Sequence, residues 1–355
     1  MGLVPSLVGR VRVGLNFTFL LHHSLMWIWS SEPMNNITKY LYTKLINDQK
    51  RWYPYISFYY LTYSCEFRCV YCSDGKGIPY YKLPDYKVEL GEAIEIITHI
   101  RKYTDYFVLT GGEPLQYSGI SELLIKIKEL KFKNFILTTN GYYFDKCQDE
   151  LLNTVDSLVF SLDSMDKGKA EGLWRMPEGT FDKVIQNINK AHELKSQRKS
   201  RKPEITISSV VTPKNIEDQY DVYEFAKQKG FEFSASIELM GVKANPELKN
   251  NKSYIQFYNY MIQEKKNGGK IFGSVKYLEY MRDLKSFNCK PFTMLVISPN
   301  GTIFYPCLEI GHQAGNIKNI KSLNEAKAKA EETFGPQPKC SNQCQSCCAL
   351  TFALI

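Results

Sequence analysis

Between Cys72 and Cys289 the chain holds one cysteine, Cys147. The other nine fall in three places: residues 65–72, the pair Cys289 and Cys307, and residues 340–348. That clustering excludes the dispersed disulfide framework of a secreted scaffold. It points to metal ligands in a reducing compartment, and so to a cytoplasmic location. Basic runs are scarce too. The densest, KSQRKSRK at 195–202, falls short of a nucleic-acid arm, and a net charge of +8 over 355 residues does not call for nucleic acid. Residues 13–31, VGLNFTFLLHHSLMWIWSS, carry no formal charge. No small-residue cleavage site marks them as an export signal. Asn16, His22, His23 and Ser24 interrupt them, which argues against a spanning helix. Trp27 and Trp29 suit a headgroup interface. Residues 1–50 are therefore expected either to lie on the inner face of a membrane or to pack as an amphipathic segment on their own domain.

What is present begins with YSCEFRCVYCSDGKG at 63–77, which spaces Cys65, Cys69 and Cys72 as C-x3-C-x2-C. Structural zinc takes four protein ligands. A [4Fe–4S] cluster on three thiolates leaves one iron open to a small molecule. From residue 55 onward strands and helices alternate. The pattern predicts strands at Ile56–Leu61, Tyr106–Thr110, Phe135–Thr139, Ser157–Ser161, Ile205–Val211 and Phe233–Ile237. Helices are predicted between them, at Leu90–Tyr103, Ile120–Leu130, Phe181–Leu194 and Ile216–Lys229. Such alternation makes right-handed βαβ units and a parallel sheet, with the active site at the carboxyl ends of the strands. Six units are too few for a closed eight-fold barrel.

The segments that follow these strands are Gly111-Gly112-Glu113-Pro114, Thr139-Asn140-Gly141 and Ser161-Leu162-Asp163, with Arg175 further on in LWRMPEGTFDKV. Together with the cysteine loop and Tyr71 inside it, they resemble the radical S-adenosylmethionine (SAM) superfamily over roughly residues 54–348. The resemblance implies an α/β fold, a partial (βα)6 TIM-like barrel spanning residues 51–245. It implies a [4Fe–4S] cluster on Cys65, Cys69 and Cys72 whose open iron chelates SAM. It also implies that Tyr71, Gly111, Gly112, Glu113, Asn140, Ser161, Asp163, Arg175 and Ser208 line the cofactor cleft. Glu113 would accept the SAM ammonium and Arg175 would reach its carboxylate. At position 176, methionine replaces the glycine usual after that arginine.

Residues 246–288 read as a polar helical bridge. After them come Cys289, the turn Pro299-Asn300-Gly301 between strands Thr293–Ile297 and Thr302–Tyr305, Cys307, Gly315-Asn316-Ile317 and CSNQCQSCC. This stretch resembles the SPASM/twitch extension of the same superfamily. It departs from that pattern in having five residues between Gly301 and Cys307 where four are usual, and six cysteines where a full extension has seven. The resemblance therefore implies a small C-terminal Fe–S-binding hairpin/helix module within residues 246–355, holding one auxiliary [4Fe–4S] cluster. Cys289 and Cys307 would supply two ligands, and two of Cys340, Cys344, Cys347 and Cys348 the others; zinc is the alternative occupant. The expected function is reductive cleavage of SAM to a 5′-deoxyadenosyl radical, driven by flavodoxin or ferredoxin, and hydrogen abstraction from an unactivated carbon. The charge-free N-terminal stretch makes a hydrophobic substrate, a lipid or isoprenoid, the leading expectation. Modification of a ribosomal peptide or protein residue is the alternative.

Overall fold

The computed structural model describes residues 49–74, 76–84, 86–198, 201–336, 344–346, 350–351 and 353–354. The expected membrane-facing segment at 1–31 lies outside the described residues, as do Cys340, Cys347 and Cys348.

Six parallel strands form the barrel wall: β1 (Ile56–Tyr60), β2 (Tyr106–Thr110), β3 (Asn134–Thr139), β4 (Ser157–Ser161), β5 (Glu204–Val211) and β6 (Glu232–Ile237). Each lies within a residue or so of its predicted span. They pair in sequence order, β1 to β6, each parallel to the next. The helices between them are α1 (Leu90–Arg101), α2 (Ile120–Glu129), α3 (Gln148–Thr154), α4 (Lys167–Trp174), α5 (Thr180–Ser196) and α6 (Asp218–Gln228). In α1 the buried residues are Ala93, Ile96, Ile97 and Ile100, and in α2 they are Ile120, Leu123, Leu124 and Ile127. Both sets repeat at three and four residues, so each helix lays one stripe on the sheet. The strands alternate accordingly. In β4, Leu158 and Phe160 are buried on the helix side, while Val159 and Ser161 are half-buried on the other face. The fold is an α/β partial TIM-like barrel.

The sheet does not end with the barrel. After a short hairpin, β7 (Leu239–Met240) and β8 (Lys243–Ala244), come α7 (Lys252–Lys266) and α8 (Val275–Arg282). The chain then returns as β9 (Met294–Ile297), which pairs parallel to β1 with Phe58 opposite Val296. β10 (Thr302–Tyr305) and β11 (His312–Asn316) continue it antiparallel, giving the order β11-β10-β9-β1-β2-β3-β4-β5-β6. The Pro299-Asn300-Gly301 turn joins β9 to β10, with Gly301 at φ +84°. α9 (Leu323–Phe334) follows, and Asn324 Oδ1 accepts the Trp52 amide at 2.8 Å, tying that helix to the entrance of β1. The C-terminal hairpin is thus an edge of the barrel sheet, hydrogen-bonded to the strand that leads into the cysteine loop.

Candidate active site

The cysteine loop leaves β1 at its carboxyl end and is held from two sides. On one side Gly112 N donates to Thr62 O at 2.6 Å and Glu113 N to Ser64 O at 2.8 Å. These contacts require the two glycines. A Cβ on Gly112 would stand 2.1 Å from Ser64 O, and one on Gly111, at φ +145°, would stand 2.4 Å from Thr62 O. On the other side Arg68 N donates to Trp174 O at 2.9 Å and Val70 N to Leu173 O at 3.0 Å. Phe67 fills the space below, 5.2 Å from the ring of Trp174 and 6.1 Å from that of Tyr142.

Cys65, Cys69 and Cys72 are free, half-buried and electrostatically coupled to one another. Burial pushes the Cys65 thiol up to about 12 and the Cys72 thiol to about 11, and raises Cys69 well above its ordinary value. Such a triad is neutral without a cation and gives up its protons to iron. Asn140 Nδ2 lies 3.8 Å from Cys65 Sγ, a donor aimed at a ligand sulfur. Among the described residues no three His, Cys, Asp or Glu side chains could hold a single metal ion. A cluster that spreads its ligands over three irons has no need of that closeness. The donor chemistry fits a cluster on three thiolates.

Glu113, which the resemblance turns toward the SAM ammonium, is buried at the carboxyl end of β2 and accepts three hydrogen bonds. Its Oε1 accepts Leu115 N at 2.9 Å and Thr139 Oγ1 at 2.7 Å, and its Oε2 accepts Asn140 N at 2.7 Å. Burial pushes its carboxyl up to about 7 against those three donors. Asp163 is likewise inside. Its Oδ2 accepts the Tyr71 hydroxyl and Trp174 Nε1 at 2.9 Å, and its Oδ1 accepts Val210 N at 2.9 Å. Burial raises its carboxyl above the usual range, opposed by these same donors. Both side chains pin strand ends and the cysteine loop in place.

Ser161 and Ser208 stand opposite each other in the β4–β5 register, and Ser208 faces Ser234 on β6. The three make a hydroxyl row on the half-buried face. Arg175 ends α4 in the left-handed conformation, φ 53°, with its side chain exposed. No described contact draws it to the cysteines. Nothing in the local pattern marks Asp163 as an interior hub. The only usable signal is its place two residues beyond Ser161, just past the β4 end.

At the C-terminal side, Cys289, Cys307 and Cys344 line one cavity. Phe58 and Tyr60 of β1, Met294 and Val296 of β9, and Glu309 complete much of its wall. Tyr60 also stacks on Tyr80 at 5.7 Å, and Tyr63 lies 6.0 Å from Tyr80. An aromatic cluster therefore stands between this cavity and the cysteine loop. Aromatic abundance, 24 Tyr and 20 Phe, is its only trace in the sequence.

A barrel whose first strand opens into three half-buried thiols, backed by a Gly-Gly-Glu turn, defines an iron–sulfur enzyme of the SAM-cleaving type. Comparison with known families agrees: residues 59–234 match the Radical SAM superfamily. The chain belongs to that superfamily, whose cofactors are SAM and a [4Fe–4S] cluster. Among curated proteins it is 30% identical over 183 residues to the GTP 3′,8-cyclase of Marinobacter nauticus, covering 50% of this chain and 52% of that one. It is 27% identical to a probable GTP 3′,8-cyclase of Sulfolobus acidocaldarius, covering 53% and 56%. The chain thus spans about half the length of these curated relatives. Among solved structures it resembles Streptococcus suis SuiB bound to S-adenosylmethionine, with TM-score 0.61, 17% identity, and 90% of this chain and 76% of that chain covered. It also resembles anSMEcpe with bound AdoMet, with TM-score 0.59, 19% identity, and 82% and 89% covered. At those identities the likeness is one of fold.

Proposed function

We propose that this protein cleaves SAM reductively and uses the 5′-deoxyadenosyl radical to oxidise a side chain of a peptide or protein substrate. The observation that carries this reading is the cavity that gathers Cys289, Cys307 and Cys344 against the inward-facing Phe58 and Tyr60. When bound at Cys65, Cys69 and Cys72, the cluster supplies one electron to the sulfonium, so that the C5′–S bond breaks and a substrate hydrogen atom moves to C5′. Cys289, Cys307, Cys344 and one of Cys340, Cys347 or Cys348 would hold an auxiliary cluster as acceptor for the electron that the substrate radical gives up, its proton leaving to solvent. The substrate loses two electrons in all. The Ser161–Ser208–Ser234 row offers hydroxyls to the polar parts of SAM or substrate.

A peptide substrate is favoured by the extent of the fold likeness. It runs through 90% of this chain, and SuiB has been solved bound to its precursor peptide SuiA. The activity named for the GTP 3′,8-cyclases is not carried over, because only about half of each aligns. The lipid reading rests on the uncharged residues 13–31. No described helix is long and apolar enough to cross a membrane. Flotation with liposomes tests that reading: a full-length protein that stays in the soluble fraction removes its basis.

The enzyme reading is tested by anaerobic reconstitution and reduction with dithionite. 5′-Deoxyadenosine must form, and Cys65→Ala must abolish it. Retained cleavage in that variant would sink the assignment.

A further inference from the structure

Gln345 ties the C-terminal cysteine segment to two other parts of the fold. Its backbone N donates to Val242 O at 2.8 Å, in the turn of the β7–β8 hairpin. Its side-chain Oε1 accepts Ala244 N at 2.7 Å, and its Nε2 donates to Leu284 O, just past α8. Neighbouring side chains alternate about this residue. Cys344 and Ser346, both 7% exposed, line the cavity with Val242, Cys289 and Cys307. Gln345 lies on the opposite side, in a second hollow with Ala244 and Leu284. Residues 344–346 thus run beside the hairpin as an extended segment. The hairpin is fixed to the barrel in turn. Asn245 N donates to Glu238 O at 2.9 Å and Asn245 Nδ2 to Glu238 Oε2 at 2.7 Å, at the carboxyl end of β6.

An amide side chain meets both demands made at position 345, a carbonyl for the Ala244 amide and an N–H for the Leu284 carbonyl. Glutamate would set a carboxylate oxygen against Leu284 O. Methionine would fill the space and make neither bond. The two bonds also set register. In an extended segment the side chains have a period of two, so a slip of one residue would turn Cys344 out of the cavity and Gln345 into it. Cys340, Cys347 and Cys348 stand close by in sequence, and spacing alone does not choose Cys344 over them. We propose that Gln345 is a positioning residue of the C-terminal thiol site: its amide, bonded to Ala244 N and Leu284 O, fixes the register that presents Cys344 to Cys289 and Cys307. Its consequence for bound metal rests on the auxiliary-cluster reading above; the register does not.

The test uses the full-length protein, first with its metal removed by chelation. Iodoacetamide labelling is followed over time, and each cysteine is read by mass spectrometry. Gln345→Met keeps the length and removes both side-chain bonds; Gln345→Glu keeps the acceptor alone. In both variants Cys344 should react about tenfold or more faster than in wild type, because the closed segment has lost hydrogen bonds that the open one never made. Cys147, 1% exposed inside the barrel, is the internal control, and its rate should not change. A wild-type rate at Cys344 in Gln345→Met overturns the proposal. So does equal acceleration at Cys147, which marks general loosening, and so does a wild type whose Cys344 already reacts as fast as in the variants. In reconstituted protein, Gln345→Met should lose metal from the C-terminal site to a chelator about tenfold faster, with dithionite-driven SAM cleavage kept at the wild-type level. An unchanged rate of metal loss overturns the role at the metal site. A wild type with about four irons and no zinc would fail the auxiliary-site reading instead, and the Cys344 labelling would still decide the register.

Discussion

Glu113 accepts the Thr139 hydroxyl at 2.7 Å, across the carboxyl ends of β2 and β3. With the Asn140 amide on its other oxygen, this carboxylate staples the Gly-Gly-Glu turn to the Thr-Asn-Gly turn. Asn140 in turn reaches Cys65 Sγ. The staple therefore links the turns after β2 and β3 to the cysteine loop.

Glu113→Ala leaves three buried donors without an acceptor and should cost about 3 kcal/mol or more of stability, measured by urea unfolding. The pH dependence has a definite sign. The group titrates at 4.5 when unfolded and at about 7 when folded, with burial the leading cause. Its contribution is therefore full below pH 4.5 and is lost as pH rises through 7. The stability of wild type relative to Glu113→Gln should fall by about 2 kcal/mol between about pH 5 and about pH 8. A difference that is flat with pH would show that the carboxyl titrates normally.

Two glycines separate close approach from mere flexibility. Gly112→Ala forces a methyl against Ser64 O and C, 2.1 and 2.6 Å away, and neither backbone atom can yield without moving the cysteine loop. We expect a loss of about 3 kcal/mol or more and a drop in iron bound per chain. Gly172, inside α4, has open space where a methyl would stand, with nothing within 4 Å. Gly172→Ala should be neutral or stabilising by about 0.5–1 kcal/mol. Calorimetric melting temperatures and iron assays read both.

The strands and helices of the barrel were legible because local patterns agree with the fold. Val159 and Ser161 alternate with Leu158 and Phe160, and Ile96, Ile97 and Ile100 repeat at helical spacing. The cysteine loop was legible because its ligands are close in sequence. What was not legible depends on partners far apart in the chain. The pairing of β9 with β1 joins residues more than 230 positions apart, and no local pattern encodes it. The same holds for Asp163, whose donors come from Tyr71, Trp174 and Val210. An Asp after a strand reads as a ligand-facing group, and only the packed neighbours turn it inward. Cys344, one of four C-terminal thiols in the sequence, lines the cavity with Cys289 and Cys307, a gathering of residues far apart in the chain that no local pattern encodes.

Asp163 and Tyr71 offer a graded test of how the loop is anchored. Tyr71→Phe removes one of three donors to Asp163 and should cost about 1 kcal/mol. Asp163→Asn replaces an acceptor oxygen with a donor that faces donors, and should cost more, about 2–3 kcal/mol, while loosening the loop. Iron retention through gel filtration should follow the order wild type, Tyr71→Phe, Asp163→Asn. An inverted order would mean that Tyr71 acts on the cofactor directly and not through Asp163.

The cavity at Cys289, Cys307 and Cys344 makes a counting prediction. With two [4Fe–4S] clusters the reconstituted protein carries about eight irons and about eight sulfides per chain. Cys344→Ala and Cys307→Ala should each lower both counts toward about four, because each removes one of the four thiolates that hold the auxiliary cluster. The cysteine loop is untouched in these variants. Dithionite should therefore still drive SAM cleavage to 5′-deoxyadenosine, uncoupled from substrate oxidation. Zinc at this site would show as about four irons in the wild type with about one zinc per chain, and the two variants would then lose zinc and leave the iron count unchanged. Metal analysis of wild type and both variants, with 5′-deoxyadenosine assayed on the same samples, separates the two outcomes.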